Sequence, residues 1–375
     1  MLKRTVSISG PDTALMVHYG QIEVSRNGER IGSFPAEDVG VLIADTPTAR
    51  YTHGTLLELL RHNAAVVFCD EKHMPAGMLL PVEANSVQAQ RLHAQAEAKK
   101  PLLKRLWQEI IRAKIRRQAA LLQELGRLEY AFLRDLARKV QSGDPHNVEA
   151  QAARFYWPAL FGKEFRRVRE GSPPNGLLNY GYMVVRAAVA RALCGAGLHP
   201  SLGLHHTNKY NAFALADDLL EPLRPLVDRT VQRLASAGQV EVDAKTKPVL
   251  LNLLAGETAL SGPGSGPLLV AIERYASSLA AVFCGESKAL EIPEMCATEG
   301  GKLEVRDEGR GARGAEVLAP EGGTLEEIPD VHAPAGGNPG EMPDMQAPEG
   351  GKIEKPGATP PVGAIKDPGS PERAQ

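Results

Sequence analysis

The chain has 375 residues, 43% of them hydrophobic, with 43 Lys+Arg and 45 Asp+Glu, which leaves room for two domains and a tail. With 23% charged residues and no apolar run near the roughly 18 residues that a bilayer span needs, a membrane-spanning protein is excluded. The net charge of −2 hides an asymmetry: residues 292–375 carry 16 Asp+Glu against 8 Lys+Arg, so residues 1–291 are basic and favour an anionic partner.

The start, MLKRTVSISG, has basic residues but no apolar stretch behind them, so no secretory signal is expected and the chain is assigned to the cytoplasm. Residues 1–84 read as a small β-rich domain. RTVSIS, ALMVHYGQIEVSR, ERIGSF, VGVLIAD and AVVFCD are β-branched, alternating or short apolar runs between Gly, Pro, Asn and Asp breaks. One helix interrupts them over Thr55–His62, where Leu56, Leu57, Leu59 and Leu60 form an apolar stripe on the helical period. From 85 to 291 the apolar spacing is helical, broken by SGDPHN at 142–147, GSPPNG at 171–176 and GAGLHPSLG at 195–203. Asp144-Pro145 is predicted to start a helix, with Asp144 as its cap, which puts Glu149 about one turn inside. The run GPGSGP at 262–267 follows no predicted strand and is expected to be a loop between two helices. The tail, 292–375, repeats itself at a period of 14 over 314–355 and holds 15 Gly, 12 Pro and no aromatic residue. Such a composition cannot bury enough apolar surface to offset its ordering entropy, so the tail is expected to be disordered rather than a folded solenoid. The fold class is therefore α+β: a β-rich domain, a larger all-α lobe, then a tail. Cys69, Cys194, Cys284 and Cys296 lie far apart with no C-x-x-C pair, and are expected as reduced, mostly buried thiols.

Two features carry chemistry. The first is basic: Arg91–Arg117 holds nine Lys/Arg against Glu97 and Glu109, and Lys163, Arg166, Arg167 and Arg169 form a second group. Such surfaces lower the cost of approaching a phosphate backbone and release its counterions, although a solvated helix face is the bland alternative for each. The second is a set of metal-ligand residue types in three places: Glu149, then His205-His206, then Asp217-Asp218-x-x-Glu221. On a helix Asp218 and Glu221 share one face at i and i+3, and Asp217 and Glu221 pair at i and i+4. Mg²⁺ accepts one or two carboxylates and leaves positions for phosphate oxygens, and Mn²⁺ tolerates an added imidazole. Spacing alone leaves open a solvated Glu149, a hydrogen-bonded core histidine and a Glu221–Arg224 pair. Walker, G-x-S-x-G and H-E-x-x-H signatures are missing.

At these residues the chain resembles the CRISPR-associated integrase/endonuclease of spacer acquisition, the larger of the two near-universal adaptation proteins. The resemblance covers about 1–288. It is carried by LLPVEANSVQAQRLHAQAEAKKPLLKRLWQEIIRAKIRRQA, NVEAQAARFYWPALFG, PPNGLLNYGYMVVRAAVARALCGAGLHPSLGLHH and DLLEPLRPLVD. ANSVQAQRL and H-H-T-N-K-x-N-x-F look like the version found in type II systems. Carried over residue by residue, the resemblance implies Glu149, His206 and Glu221 as catalytic metal ligands, with Asp218 as an acidic helper and Mg²⁺ or Mn²⁺ as cofactor. His206 is taken over His205 because it lies three after Gly203 and fifteen before Glu221. Ala150 stands where the family commonly has Gly, and the acidic tail has no counterpart.

The resemblance further implies a homodimer through the β-rich domains and a larger complex with a small ferredoxin-like adaptation partner. Its ligands would be double-stranded DNA, as incoming fragment and CRISPR repeat, and the type II effector nuclease would be a further partner. Charge clustering nominates Arg91, Lys99, Lys100, Lys104, Arg105, Arg112, Lys114 and Arg224 as phosphate contacts. The expected activity is metal-dependent joining of 3′-hydroxyl ends of short DNA duplexes into the array by transesterification. A nuclease on branched or single-stranded DNA and a non-catalytic DNA-binding scaffold are the alternatives.

Overall fold

The computed structural model describes residues 3–71, 75–206, 208–259, 265–294 and 316–318. The chain divides into a unit over Met1–Glu321 and a second over Gly322–Gln375, which lies outside the described residues together with most of the repeat tail.

The first unit begins with eight strands: β1 Arg4–Ile8, β2 Thr13–His18, β3 Gln21–Arg26, β4 Glu29–Pro35, β5 Val39–Ala44, β6 Arg50–Tyr51, β7 Ala65–Cys69 and β8 Pro75–Leu79. The predicted run ALMVHYGQIEVSR is two strands. Tyr19 and Gly20 at φ 49° and 73° turn β2 back on β3, and Asn27 and Gly28 at 51° and 87° turn β3 back on β4. Left-handed residue pairs of this kind match the right-handed twist of a hairpin, and asparagine or glycine tolerates them best. β4, β3, β2 and β6 form one sheet in that order. β1, β5 and β7 pair in parallel and β8 closes the second sheet antiparallel; Glu316–Leu318, from the tail, lies parallel along the other side of β1 as β11. The predicted helix is present as α1, His53–Arg61, capped by Thr52, whose side chain accepts from the Thr55 N–H at 3.2 Å.

Every residue of β5 is buried, which explains why VGVLIA shows no alternation. Val6, Ile8, Leu42 and Val66 pack with Leu15, Ile22, Phe34 and Leu59 into one core. Val41, Ile43 and Val67 face the other way and join the core of the helical part.

That part contains α2 Gln88–Ala96, α3 Lys100–Glu124, α4 Glu129–Lys139, α5 Val148–Phe161, α6 Asn175–Gly195, α7 Ala214–Leu220, α8 Arg224–Ser236, α9 Thr246–Leu251 and α10 Leu268–Phe283. α6 is apolar or small on nearly all sides, from Leu177 to Cys194, and forms the buried centre of the lobe, as an all-round hydrophobic helix must. β9 Glu257–Ala259 and β10 Ser265–Pro267 pair antiparallel, so the glycine-rich run expected as a plain loop follows a strand and ends in one. Among the described cysteines all three are unpaired; Cys194 is buried, and Cys69 and Cys284 are half-buried. No helix among the described residues is long and apolar enough to cross a membrane.

Candidate active site

Glu149 is the second residue of α5. The helix start is capped twice: the Asn147 side chain accepts from the Ala150 N–H at 3.3 Å, and the Asp144 carboxylate accepts from the N–H groups of Val148 and Glu149 at 2.9 and 3.0 Å. Asp144 thus caps the helix from outside, Asn147 is the first flanking residue, and Glu149 sits in the first turn rather than a turn further in.

Glu221 follows α7. Pro222 has no N–H and cannot extend the helix, so the chain tightens into a 3₁₀ turn, Glu221–Leu223, before α8 begins at Arg224. The backbone stays helical through Glu221, so the three carboxylates are parted by the partners that each has taken rather than by a break. Asp217 pairs with Arg186 at 2.7 Å and accepts from Asn211 at 2.7 Å. Asp218, with no exposed surface, accepts from the N–H groups of Leu204, His205 and His206 at 2.6, 3.0 and 3.5 Å, and from His206 Nδ1 at 2.5 Å. Neither shares a cation with Glu221 here. The 203–206 turn that Asp218 gathers also needs Gly203, where a Cβ would run into the His206 carbonyl oxygen.

Between Glu149 and Glu221 lies a lysine. Lys114, on α3, donates to Glu149 Oε1 at 2.5 Å and to Glu221 Oε2 at 2.6 Å, and Arg224 donates to the other Glu221 oxygen at 2.9 Å. Burial alone would raise the Glu221 carboxyl, but Arg224 and Lys114 outweigh it and hold the pKa at about 2. Burial opposes the Lys114 charge too, yet Glu221 and Glu149 keep its pKa above the ordinary value.

His206 is the histidine that faces this site. An ionised carboxylate can only accept, so the proton between His206 and Asp218 belongs to Nδ1, which leaves Nε2 with its lone pair outward. The Asp218 hydrogen bond raises the His206 pKa, burial opposes it, and the charges of Asp218, Glu221 and Glu149 add to the rise. His205 instead stacks flat on Trp107, with ring centroids 4.3 Å apart and planes within 1°. The same indole meets His206 edge-on at 5.6 Å, so Trp107 seats both rings.

His206 and Glu221 open into a cleft of about 520 Å³ whose other walls include Arg167, Arg169, Arg186 and Arg224. Arg186 and Tyr182 of this cleft were not singled out from the sequence; they sit inside the apolar run of α6, where two separated arginines give no clustering signal. The Tyr182 ring lies under both Arg224 and Arg167, 4.6 and 5.3 Å from the guanidinium carbons. Tyr182 and Tyr156 both donate to the buried carboxylate of Asp228, the Tyr156 bond being 2.7 Å.

Burial raises the Asp228 carboxyl to about 6 despite those two hydrogen bonds. The folded value lies above the unfolded one, so the stability this group contributes is full below its ordinary pKa and is lost as pH rises through about 6. Urea unfolding at pH 5 and pH 7.5 is expected to show the native chain losing about 1 kcal/mol more over this interval than Asp228→Asn does.

Other nominated cations are committed elsewhere. Arg91 donates to the Ala196 carbonyl at 3.0 Å, Arg105 to the Lys288 carbonyl at 2.7 Å and Glu109 at 3.1 Å, and Arg112 to the Val140 carbonyl at 2.8 Å. Lys99, Lys100 and Lys104 stand exposed at the start of α3.

As the side chains stand, no three His, Cys, Asp or Glu among the described residues close on one point that could hold a metal. The cause is local: the Lys114 ammonium occupies the space between Glu149 and Glu221, and Asp218 is turned onto the histidine turn. The donor chemistry nevertheless fits a hard divalent cation. Two carboxylates already converge on one positive charge, and the His206 imidazole donates its Nδ1–H to the Asp218 carboxylate, the arrangement that orients a metal-binding histidine.

The strand-rich start and the helical lobe thus bring acidic and imidazole groups to an arginine-walled cleft. The model of the family "CRISPR associated protein Cas1" matches residues 6–258, and the chain belongs to the Cas1 family. The CRISPR-associated endonuclease Cas1 of Neisseria meningitidis serogroup C is 40% identical over 279 residues, 73% of this chain and 91% of that protein. Among solved structures, a casposase bound to integration product shares the fold with a TM-score of 0.66 at 19% identity, covering 81% of this chain and 96% of that one. A chain of a Cas6-RT-Cas1–Cas2 complex gives 0.63 at 17% identity, covering 77% of this chain and 36% of that one.

Proposed function

We propose that this Cas1 protein is the integrase of CRISPR adaptation, joining the 3′-hydroxyl ends of short double-stranded DNA fragments into the array by transesterification. The observation that carries this reading is the meeting of Glu149 and Glu221 on a single cation, beside a His206 oriented by Asp218, at the edge of an arginine-walled cleft. Glu149, His206 and Glu221 would hold Mg²⁺ or Mn²⁺. Asp218 would act from behind His206, fixing its tautomer, rather than as a ligand. A bound divalent cation would polarise the target phosphodiester and balance the charge that develops there. Arg167, Arg169, Arg186 and Arg224 would draw the anionic backbone into the cleft and hold it, their charge favouring a strained, more negative phosphate. No side chain needs to attack the DNA.

The ANSVQAQRL and H-H-T-N-K-x-N-x-F segments favour the type II version. A homodimer through residues 1–84, with 85–291 as the catalytic lobe, and a small ferredoxin-like partner complete the assembly; the Cas2-containing complex of a chain with this fold supports that partner. The casposase captured with an integration product supports joining over hydrolysis.

Lys99, Lys100 and Lys104 are the phosphate contacts outside the cleft, being exposed and close in sequence. Replacing all three by Gln is expected to weaken DNA binding uniformly across sequences and to reduce the slope of log affinity on log salt by about 2–3. Arg112→Gln should leave the slope unchanged, since its guanidinium is held by Val140.

The test is incubation of a labelled short duplex with a supercoiled plasmid bearing a CRISPR array, the small partner and Mg²⁺ or Mn²⁺. Joined product supports the integrase. Nicking without joining favours the nuclease, and binding without product under either metal favours a scaffold.

A further inference from the structure

We propose that Lys114 is the resident counter-cation of the site, and that a divalent metal binds only by displacing its ammonium from between Glu149 and Glu221. This rests on the metal site proposed above and adds to it a competing group from the chain itself.

The geometry is that of a held ion. Three segments distant in sequence, the middle of α3, the first turn of α5 and the 3₁₀ turn after α7, deliver Lys114, Glu149 and Glu221 to one point. The ammonium makes a charge-assisted bond of 2.5 or 2.6 Å to each carboxylate, and its side chain is only 12% exposed. Without a cation there, two carboxylates would face each other in a largely buried setting, where like charges repel strongly. Lys114 therefore keeps the acidic pair assembled in the metal-free state. Divalent ions take carboxylate oxygens at about 2.0–2.2 Å, and such an ion cannot occupy the point between Glu149 Oε1 and Glu221 Oε2 while the ammonium is there.

Metal affinity is then a difference between two cations competing for one pair of carboxylates. Displacement leaves Glu221 still paired, because Arg224 holds its other oxygen, and leaves His206 fixed, because Asp218 does not depend on Lys114. The ammonium becomes available to a phosphate only after it leaves. The sequence expectation that Lys114 contacts phosphate therefore applies to the metal-loaded site alone.

The test uses the full chain without DNA, titrated with Mn²⁺ and followed by electron paramagnetic resonance of the free ion. Lys114→Met is expected to bind Mn²⁺ at least tenfold more tightly than the native chain, Lys114→Arg no more tightly, and Glu149→Gln at least tenfold more weakly. Acetylation of Lys114 in the native chain, read by mass spectrometry, is expected to rise several-fold on adding Mn²⁺, and this readout needs no variant to fold. Unchanged or weaker Mn²⁺ binding by Lys114→Met, with Glu149→Gln still weakened, would overturn the displacement while leaving the metal site standing. Acetylation that Mn²⁺ leaves unchanged or suppresses would overturn it too. If Glu149→Gln and Glu221→Gln bind Mn²⁺ as the native chain does, the metal-site reading itself fails.

Discussion

Glu149→Ala is expected to lower DNA joining by roughly 10³-fold while DNA affinity stays within a few-fold and the chain stays folded, with a melting temperature lower by only a few degrees. The three readouts separate because of where Glu149 sits. Its side chain is 26% exposed at the second position of α5, and the helix start is capped by Asn147 and Asp144 rather than by Glu149. Removing it leaves Lys114 and Arg224 both bonded to Glu221, so the cluster keeps its anchor although two cations then share one carboxylate. What is lost is half of the carboxylate pair on which the proposed chemistry depends. His206→Ala should behave alike in activity and binding. Joining within tenfold of native by Glu149→Ala, in a plasmid assay with matched protein, would exclude Glu149 from the catalytic set.

Asp218→Ala is expected to damage both fold and activity. Its carboxylate accepts three backbone N–H groups and the His206 imidazole from a position without solvent. Truncation leaves the buried Leu204 N–H without an acceptor and frees the 203–206 turn, at a cost of about 3–5 kcal/mol in urea unfolding. Joining should fall by roughly 10²-fold or more because Nε2 of His206 loses its orientation. Asp218→Asn separates the two effects: the amide oxygen still accepts from the turn, so stability should recover by about half, while the wrong hydrogen-bond partner at Nδ1 keeps joining low. Native stability in Asp218→Ala, combined with lost Mn²⁺ binding, would make Asp218 a ligand instead of a support.

The strand-rich start and the helical lobe were legible in the sequence because their signals are local. VGVLIA and AVVFC read as buried strands, and the stripe of α1 reads as a helix, from side chains within one element. The turn between β2 and β3 was less legible: Tyr19 takes a left-handed conformation that tyrosine seldom adopts, and only the following Gly20 hints at it. The β9–β10 ladder was hidden by its glycine-rich partner strand, Ser265–Pro267.

For the site, residue types and the family resemblance pointed to Glu149, His206 and Glu221, but not to the way they meet. The helix does run on from Asp218 to Glu221, but Asp218 is taken up by the 203–206 turn and Glu221 by Lys114 and Arg224, partners that lie far away in sequence. Lys114 looked like one more cation in a basic run. Its role depends on α5 and the turn after α7 arriving beside α3, contacts 35 and 107 residues away that no local pattern carries. The bonds of Arg105 and Arg112 to the carbonyls of Lys288 and Val140 were hidden for the same reason, since they form only in the folded chain.

Joining through a 3′-hydroxyl is what distinguishes an integrase from a nuclease. It is tested most directly by comparing two labelled donor duplexes, one ending in 3′-hydroxyl and one in 3′-deoxy sugars, in the plasmid assay with the small partner and Mn²⁺. Joined product is expected from the 3′-hydroxyl donor alone, and none with Glu149→Ala. Equal nicking of the plasmid with both donors, and no joined product from either, would contradict it.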